Sequence, residues 1–331
     1  MAYDNEISNS LKKGIFTNAE IYSFIETPNE QQFESFYNFC RGNLNINSDR
    51  YSLGPNVIIF LNDFSVNAKA GVRNNYYVIA FNSGLIVWSI QNILMNEGYH
   101  NFINEKFPET LKYYDNSLDV LSFQLSTQFT YYHELAHLIQ FSNNNEAETL
   151  ISERMIYEVN YDLTLHWLEM NADTFASISI SSHIQQYLFK QIANELNPKT
   201  ANDSLIIFGT SLLTYLMSFA STSEELYFFE RSHPHPIIRF INILMTTIHY
   251  LNQSPKFAEL KINFSYTEIF QQVLSLYISL EKNKTLTTSI SKHLNQSLER
   301  IPEIIAYNKT IREFKSEHYK DSVEEWNKII T

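Results

Sequence analysis

Tyr131-Tyr132-His133-Glu134-Leu135-Ala136-His137-Leu138-Ile139-Gln140-Phe141 is the stretch on which the reading of the chain turns. It sets His-Glu-x-x-His inside an apolar run of helical length. At about 3.6 residues per turn, His133 and His137 stand one above the other on a single helix face. Two imidazoles so placed can share one zinc ion, and Glu134 points towards the same space from the neighbouring position. The plain alternative is a core helix that happens to carry two histidines. The two readings part on whether other segments supply the rest of a site.

A chain of 331 residues can bury a full core as one large domain or two. Its 44% apolar and 18% charged content is that of a folded soluble protein. The net charge of -12, with no long basic block, argues against a nucleic-acid surface and against attraction to an anionic membrane. The one cysteine, Cys40, rules out an internal disulfide and fits a reducing compartment. Met1 to Glu6 lacks the basic and apolar regions of a signal peptide, so the expected location is cytoplasmic. The longest apolar run, Leu205 to Ala220, is broken by Gly209, Thr210, Ser211, Thr214 and Ser218. It is short of the ~20 residues that span a bilayer and reads as a buried helix.

Residues 1–50 carry aromatics at spacings that suit one or two amphipathic helices, and Asn43 to Pro55 reads as a connection. Val57 to Leu61 and Tyr76 to Phe81 are the two strand candidates, and Leu85 to Leu94 resumes as a helix. The zinc-motif helix is expected to start near Ser117 to Leu121, with Ser117 as its cap, and to end near Ser142 to Asn145. Glu146 to Tyr161 reads as a polar helix or lid, and Leu163 to Ser182 as a long apolar helix. Asn197-Pro198 breaks the pattern before the buried run from Leu205, and Ser232-His233-Pro234-His235-Pro236 is a rigid loop leading into a helix over 237–251. Residues 255–331 are helical in pattern, with breaks near Asn283 and Asn308. The fold class is α+β, mainly helical, with a small β-sheet. Its expected organisation is a core over 51–251 flanked by helical segments 1–50 and 252–331.

A catalytic zinc site needs three protein ligands and one open position. Glu169 is the best third ligand, since Asp173 lies one helical turn further on the same face. Asp173 could then accept a hydrogen bond from the second ring nitrogen of a ligand histidine and fix its tautomer. Flanking Leu168, Met170, Ala172, Phe175 and Ala176 suggest burial, where carboxylates need a metal, a partner or donors. His166, three residues before Glu169, is the rival ligand. His233 and His235 can either hold an imidazole over the site as an oxyanion-stabilising donor or merely shape a loop. Arg239 can buttress that loop or form a salt bridge.

These segments together resemble a gluzincin metallopeptidase, most closely the HtpX/CAAX-prenyl-protease type of zinc endopeptidase. Asn67-Ala68-Lys69-Ala70-Gly71, the strand Tyr76–Phe81 and Gly84-Leu85 resemble that family's first block, although Gly71 comes one residue early. His133 to His137 resembles its zinc helix, Glu169-x-x-Ala172-Asp173 its Glu-x-x-Ala-Asp helix, and Ser232-His233-Pro234 with Arg239 its His-Pro segment. The resemblance implies a zincin-like core with His133, His137 and Glu169 as Zn2+ ligands, Glu134 as general base and Asp173 orienting a ligand. It implies His233 as oxyanion donor or displaceable ligand. It also implies that Asn67, Ala68, Tyr77, Val78 and Ile79 bind substrate backbone along an edge strand. More distantly the plan is similar to the Lit type of phage-exclusion peptidase. The expected partner is a soluble protein or peptide substrate, with a protein activator or inhibitor possible, no nucleic acid and no membrane span. Two rivals are a latent regulatory or anti-phage protease and a silent protein in which zinc only staples the core.

Overall fold

The computed structural model describes residues 2–114, 118–142, 150–152, 162–192, 196–220, 225–231 and 233–314. Helix α1 (Ala2–Lys12) and helix α2 (Glu30–Arg50) precede strand β1 (Asn56–Leu61), strand β2 (Ala68–Arg73) and strand β3 (Tyr76–Asn82). Helix α3 (Ser83–Ser89) runs into a π-helical turn, Ile90–Leu94, and is followed by α4 (Glu97–Lys106) and the short α5 (Pro108–Leu111). The long α6 (Leu118–Ser142), strand β4 (Leu150–Ser152) and the long α7 (Leu163–Tyr187) come next. Then follow α8 (Pro198–Met217), α9 (Pro236–Asn252), α10 (Pro255–Glu259), α11 (Tyr266–Lys282), α12 (Ser291–Glu299) and α13 (Ile301–Glu313). The protein is α+β and mainly helical, with a small sheet, as the periodicity predicts.

Among the described residues the strand order is β1-β3-β2-β4. β1 pairs parallel with β3, Val57 opposite Val78, and β2 pairs antiparallel with β3, Gly71 opposite Val78. The β2–β3 hairpin closes on Asn74 and Asn75, both at positive φ (49° and 62°), as a two-residue turn that follows the sheet's twist requires. β3 is therefore interior. Its backbone at Tyr77, Val78 and Ile79 is paired on both sides, so the expected edge strand for substrate does not exist there. β2 was not anticipated as a strand, because Ala-Lys-Ala-Gly-Val-Arg carries little β-forming tendency of its own. Its pairing comes from the hairpin and from packing against α6.

Because β1 lies beside β3 while β2 lies beyond it, residues 62–67 must cross the end of β3. They do so against Asn82-Ser83-Gly84. The Gly84 amide donates to the Asp63 carbonyl at 3.0 Å, Ser83 Oγ to the same oxygen at 3.1 Å, and Asn82 Nδ2 to Ser65 Oγ at 2.8 Å. A Cβ on Gly84 would collide with the Phe64 backbone. A backbone obstacle cannot rotate away, so only glycine fits.

The N-terminal helices pack on β1. Phe60 N donates to Tyr3 Oη at 2.9 Å, and Ile58 N and Arg41 Nη1 both reach Glu6 Oε1 at 3.2 Å. Tyr3, Phe24, Phe33 and Phe60 stack edge and face around this contact. One continuous buried cluster runs from these rings through the sheet and α6 to Val273, Leu276 and Ile290. The expected connection from Asn43 is helical as far as Arg50. Asn43 serves as a partner for α6: Tyr131 Oη donates to Asn43 Oδ1 at 2.9 Å, and Asn43 Nδ2 donates to Tyr132 Oη at 3.2 Å. The expected break at Asn308 is also absent. α13 runs through it, with Asn308 Oδ1 accepting from Asn242 Nδ2 at 3.1 Å.

The buried helix expected from Leu205 starts earlier, at Pro198, where Asn197 and Thr200 form a reciprocal capping box. No helix among the described residues is long and apolar enough to cross a membrane. Ser117 lies outside the described residues, as does most of the stretch 146–161. Within that stretch 150–152 form β4, antiparallel to Lys69–Gly71, rather than helix. Gly84→Ala is expected to lower unfolding free energy by about 1–3 kcal/mol, seen as a lower denaturant midpoint at unchanged slope.

Candidate metal centre

α6 is apolar on every side, and each residue from Leu125 to Gln140 is buried. A helix hydrophobic all round belongs in the middle of a protein, where any polar group must find a partner. α7 lies along it and α9 lies along α7, so three helices meet at His133 and His137.

The two imidazoles sit edge to face at 4.7 Å between centroids, with their Nε2 atoms 3.1 Å apart. Glu169, one side of α7, places Oε2 3.3 Å from His133 Nε2 and Oε1 3.3 Å from His137 Nε2. These three residues can each offer one ligand atom within 4.8 Å of the others, all of them buried. The outer ring nitrogens are held elsewhere. His133 Nδ1 lies 3.0 Å from Asp173 Oδ1, and His137 Nδ1 lies 2.7 Å from Gln140 Oε1. With each Nδ1 so engaged, the Nε2 atoms are the ones turned towards Glu169.

Asp173 is itself clamped. Arg239 Nη2 reaches its Oδ1 at 2.7 Å and Arg239 Nε its Oδ2 at 2.9 Å, a two-point contact between groups 4% and 1% exposed. The salt-bridge reading of Arg239 is the one realised. Gln140 completes a second brace, donating Nε2–H to the Leu168 carbonyl at 3.0 Å. Its role went unread in the sequence. The available signal was a polar side chain one turn beyond His137 in an otherwise apolar run.

His233 Nε2 stands 3.5 Å from Glu169 Oε1, at the rim of the cluster. His235 is the cap of α9 instead: its Nδ1 accepts from Ile237 N at 3.2 Å, and its ring packs against Tyr227 and His293. The rival ligand His166 is not part of the cluster. Its Nδ1 meets the Tyr307 hydroxyl and its Nε2 donates to the Arg231 carbonyl at 2.7 Å. Glu134 is 1% exposed in the same turn of α6. Asn67 is buried just before β2, Ala68 is paired with Phe81, and Tyr77 to Ile79 lie inside the sheet.

The electrostatics follow from this geometry. Burial disfavours charge on His133, but hydrogen bonds to Asp173 and Glu169 outweigh it and hold its pKa well above the ordinary 6.5. Burial likewise opposes the Glu169 carboxylate, but its interactions with the surrounding imidazoles of His233, His137 and His133 outweigh it and hold its pKa well below the usual range. Asp173 is held low by Arg239 against its own burial. A buried group of two imidazoles, each held at its Nδ1, and one carboxylate could hold a metal ion. Comparison with models of known families, with curated proteins and with solved structures finds no match for the chain.

Two outcomes are expected. Gln140→Ala, which releases His137 Nδ1, should weaken zinc affinity about 10- to 100-fold in competition with a chelator, with the far-ultraviolet spectrum unchanged. Hydrogen bonds to Asp173 and Glu169 raise the His133 pKa and favour its protonated form, whereas a metal ligand must be neutral. Zinc uptake at pH 7 should therefore release a proton, read by calorimetry in buffers of different ionisation enthalpy. Affinity should fall further as the pH drops.

Proposed function

We propose that the chain is a zinc-dependent endopeptidase of gluzincin type acting on a protein or peptide substrate. The observation that carries the reading is the convergence of His133, His137 and Glu169 on one buried point, with Glu134 in the same helical turn as the histidines. A site that serves only to staple a fold has no use for that carboxylate. The four segments that resemble gluzincins add support, since they contain every residue of the cluster. The single cysteine, buried Cys40, suits a cytoplasmic setting.

When bound, a zinc ion supplies an acidified water near neutral pH and polarises the scissile carbonyl. Glu134 takes a proton from the attacking water and delivers it to the leaving amine, so that hydroxyl joins the carbonyl carbon as the C–N bond breaks. His133 and His137 keep their Nε2 lone pairs aimed inward through Asp173 and Gln140. Burial, only partly offset by Glu169, lowers the His233 pKa to about 4, so its ring is neutral at pH 7. The neutral ring can donate an N–H to the carbonyl oxygen as negative charge develops there, with Pro234 limiting the motion of the loop.

Substrate backbone cannot add to β3. β2 packs more extensively against α6 than β3 does, and its outer side is paired with β4. That pairing, and the burial of every cluster residue, favour a second reading in which the enzyme is latent until β4 is displaced. An internally quenched peptide library with and without chelator tests both. The zinc-dependent reading expects cleavage that chelator abolishes, and latency expects it only after a trigger. Glu134→Gln should retain zinc and lose cleavage by about 100-fold or more. Equal turnover by that variant would show the base to be another group.

A further inference from the structure

A small second core lies apart from the main one. In it Leu226 and Phe228, from the segment before His233, meet Ile304, Tyr307 and Ile311 of α13 and Ile238 of α9. Trp167 and Met170, on either side of Glu169 in α7, pack against it. Segment 225–231 has no helix or strand of its own, so its course is set by what it touches. The C-terminal helices supply several of the fixings. Gln296 Oε1 on α12 accepts from Leu226 N at 3.0 Å, and Arg300 Nη1, between α12 and α13, donates to the Leu226 carbonyl at 2.7 Å. The Arg300 guanidinium also lies over the Phe228 ring, 4.6 Å from its centroid. Phe228 and Phe229 in turn meet the Tyr307 ring at 5.5 and 5.4 Å between centroids.

His166 joins this core to the metal centre. Its Nε2 lies 2.7 Å from the Arg231 carbonyl, and a carbonyl only accepts, so Nε2 carries a hydrogen. Burial lowers the His166 pKa and favours the neutral ring, which leaves Nδ1 as an acceptor for the Tyr307 hydroxyl. A phenol on α13 thus fixes the tautomer with which α7 holds the Arg231 carbonyl, two residues before His233. Beyond His233 come Pro234 and the start of α9, where Arg239 is clasped by Asp173. His233 is therefore a short bridge between two anchored points, with its Nε2 3.5 Å from Glu169 Oε1. The main core includes no residue of α13 among those described, so the helix is not needed to close it.

We propose that Gln296, Arg300 and Tyr307 are positioning residues for the metal centre: through Leu226 and through His166 they hold segment 225–231 so that the His233 ring stays beside Glu169. What that position serves, donation to a developing oxyanion, rests on the endopeptidase reading. The restraint itself does not.

Carbethoxylation of imidazoles by diethyl pyrocarbonate, followed residue by residue by mass spectrometry, tests the restraint on the full chain with and without zinc. Tyr307→Phe keeps the ring and loses only the hydroxyl. In it His233 is expected to react about tenfold faster, the shift in a local opening equilibrium when one buried hydrogen bond is lost. His133 and His137 should keep their wild-type rates. Gln296→Ala gives the same selective rise if Tyr307→Phe does not fold, and Asn308→Ala, which faces α9, gives none. An unchanged His233 rate in both Tyr307→Phe and Gln296→Ala overturns the proposal. So does a parallel rise at His133 and His137, which marks a general loosening. In a cleavage assay Tyr307→Phe should lower kcat about 10- to 100-fold at unchanged KM, the cost of a misplaced group. It should cost nothing more once His233 is replaced by alanine, and a loss that persists in full in His233→Ala overturns the proposal. Absence of cleavage by the wild-type chain would sink the endopeptidase reading alone, because the modification rates decide the restraint without it.

Discussion

The clasp of Arg239 on Asp173 is the contact on which the centre depends. It joins α9 to α7, and through His133 Nδ1 it reaches α6, so three helices far apart in sequence are registered by one carboxylate. Such a buried pair adds little net stability, since desolvation of both groups consumes much of the attraction. Loss of either partner is another matter, at about 3–5 kcal/mol, because it strands the other charge in the core. The same clasp lets a second carboxylate, Glu169, sit one turn away on α7 without two bare negative charges sharing the space. Of the two acids, one is committed to an arginine and the other faces the imidazoles.

The sheet performs a different task. The crossing of 62–67 over the end of β3 ties the hairpin to β1 and places both β2 and β3 against α6, β2 more extensively. The N-terminal helices close over the far side of β1 through Tyr3 and Glu6 and share the continuous core with the C-terminal α11.

What could be read from the sequence was whatever local geometry dictates. His133 with His137, and Glu169 with Asp173, are pairs four apart, and a helix alone puts each pair on one face. Their burial followed from apolar neighbours. The sheet order did not follow, because whether Tyr77 to Ile79 lies at an edge depends on β2, whose own residues do not announce a strand. The Asn74-Asn75 turn was visible, but the first half of its hairpin was not. Asn43 in α2 looked like part of a loop because its value lies in partners 88 and 89 residues away on α6. His166 could not be set apart from the candidate metal residues, nor His235 from an oxyanion-stabilising donor, without their partners, Tyr307 and the amide of Ile237.

The spread of the centre along the chain also sets when it can exist. Asp173 meets an arginine 66 residues later, and His133 lies 106 residues before that same arginine. At about 5–20 residues per second, a ribosome needs roughly 5–20 s to pass from one to the other. During that interval the paired histidines are present while their third helix is still unmade. The nascent chain can thus offer two loose imidazoles to any metal nearby, yet it acquires the braced geometry only once α9 has emerged.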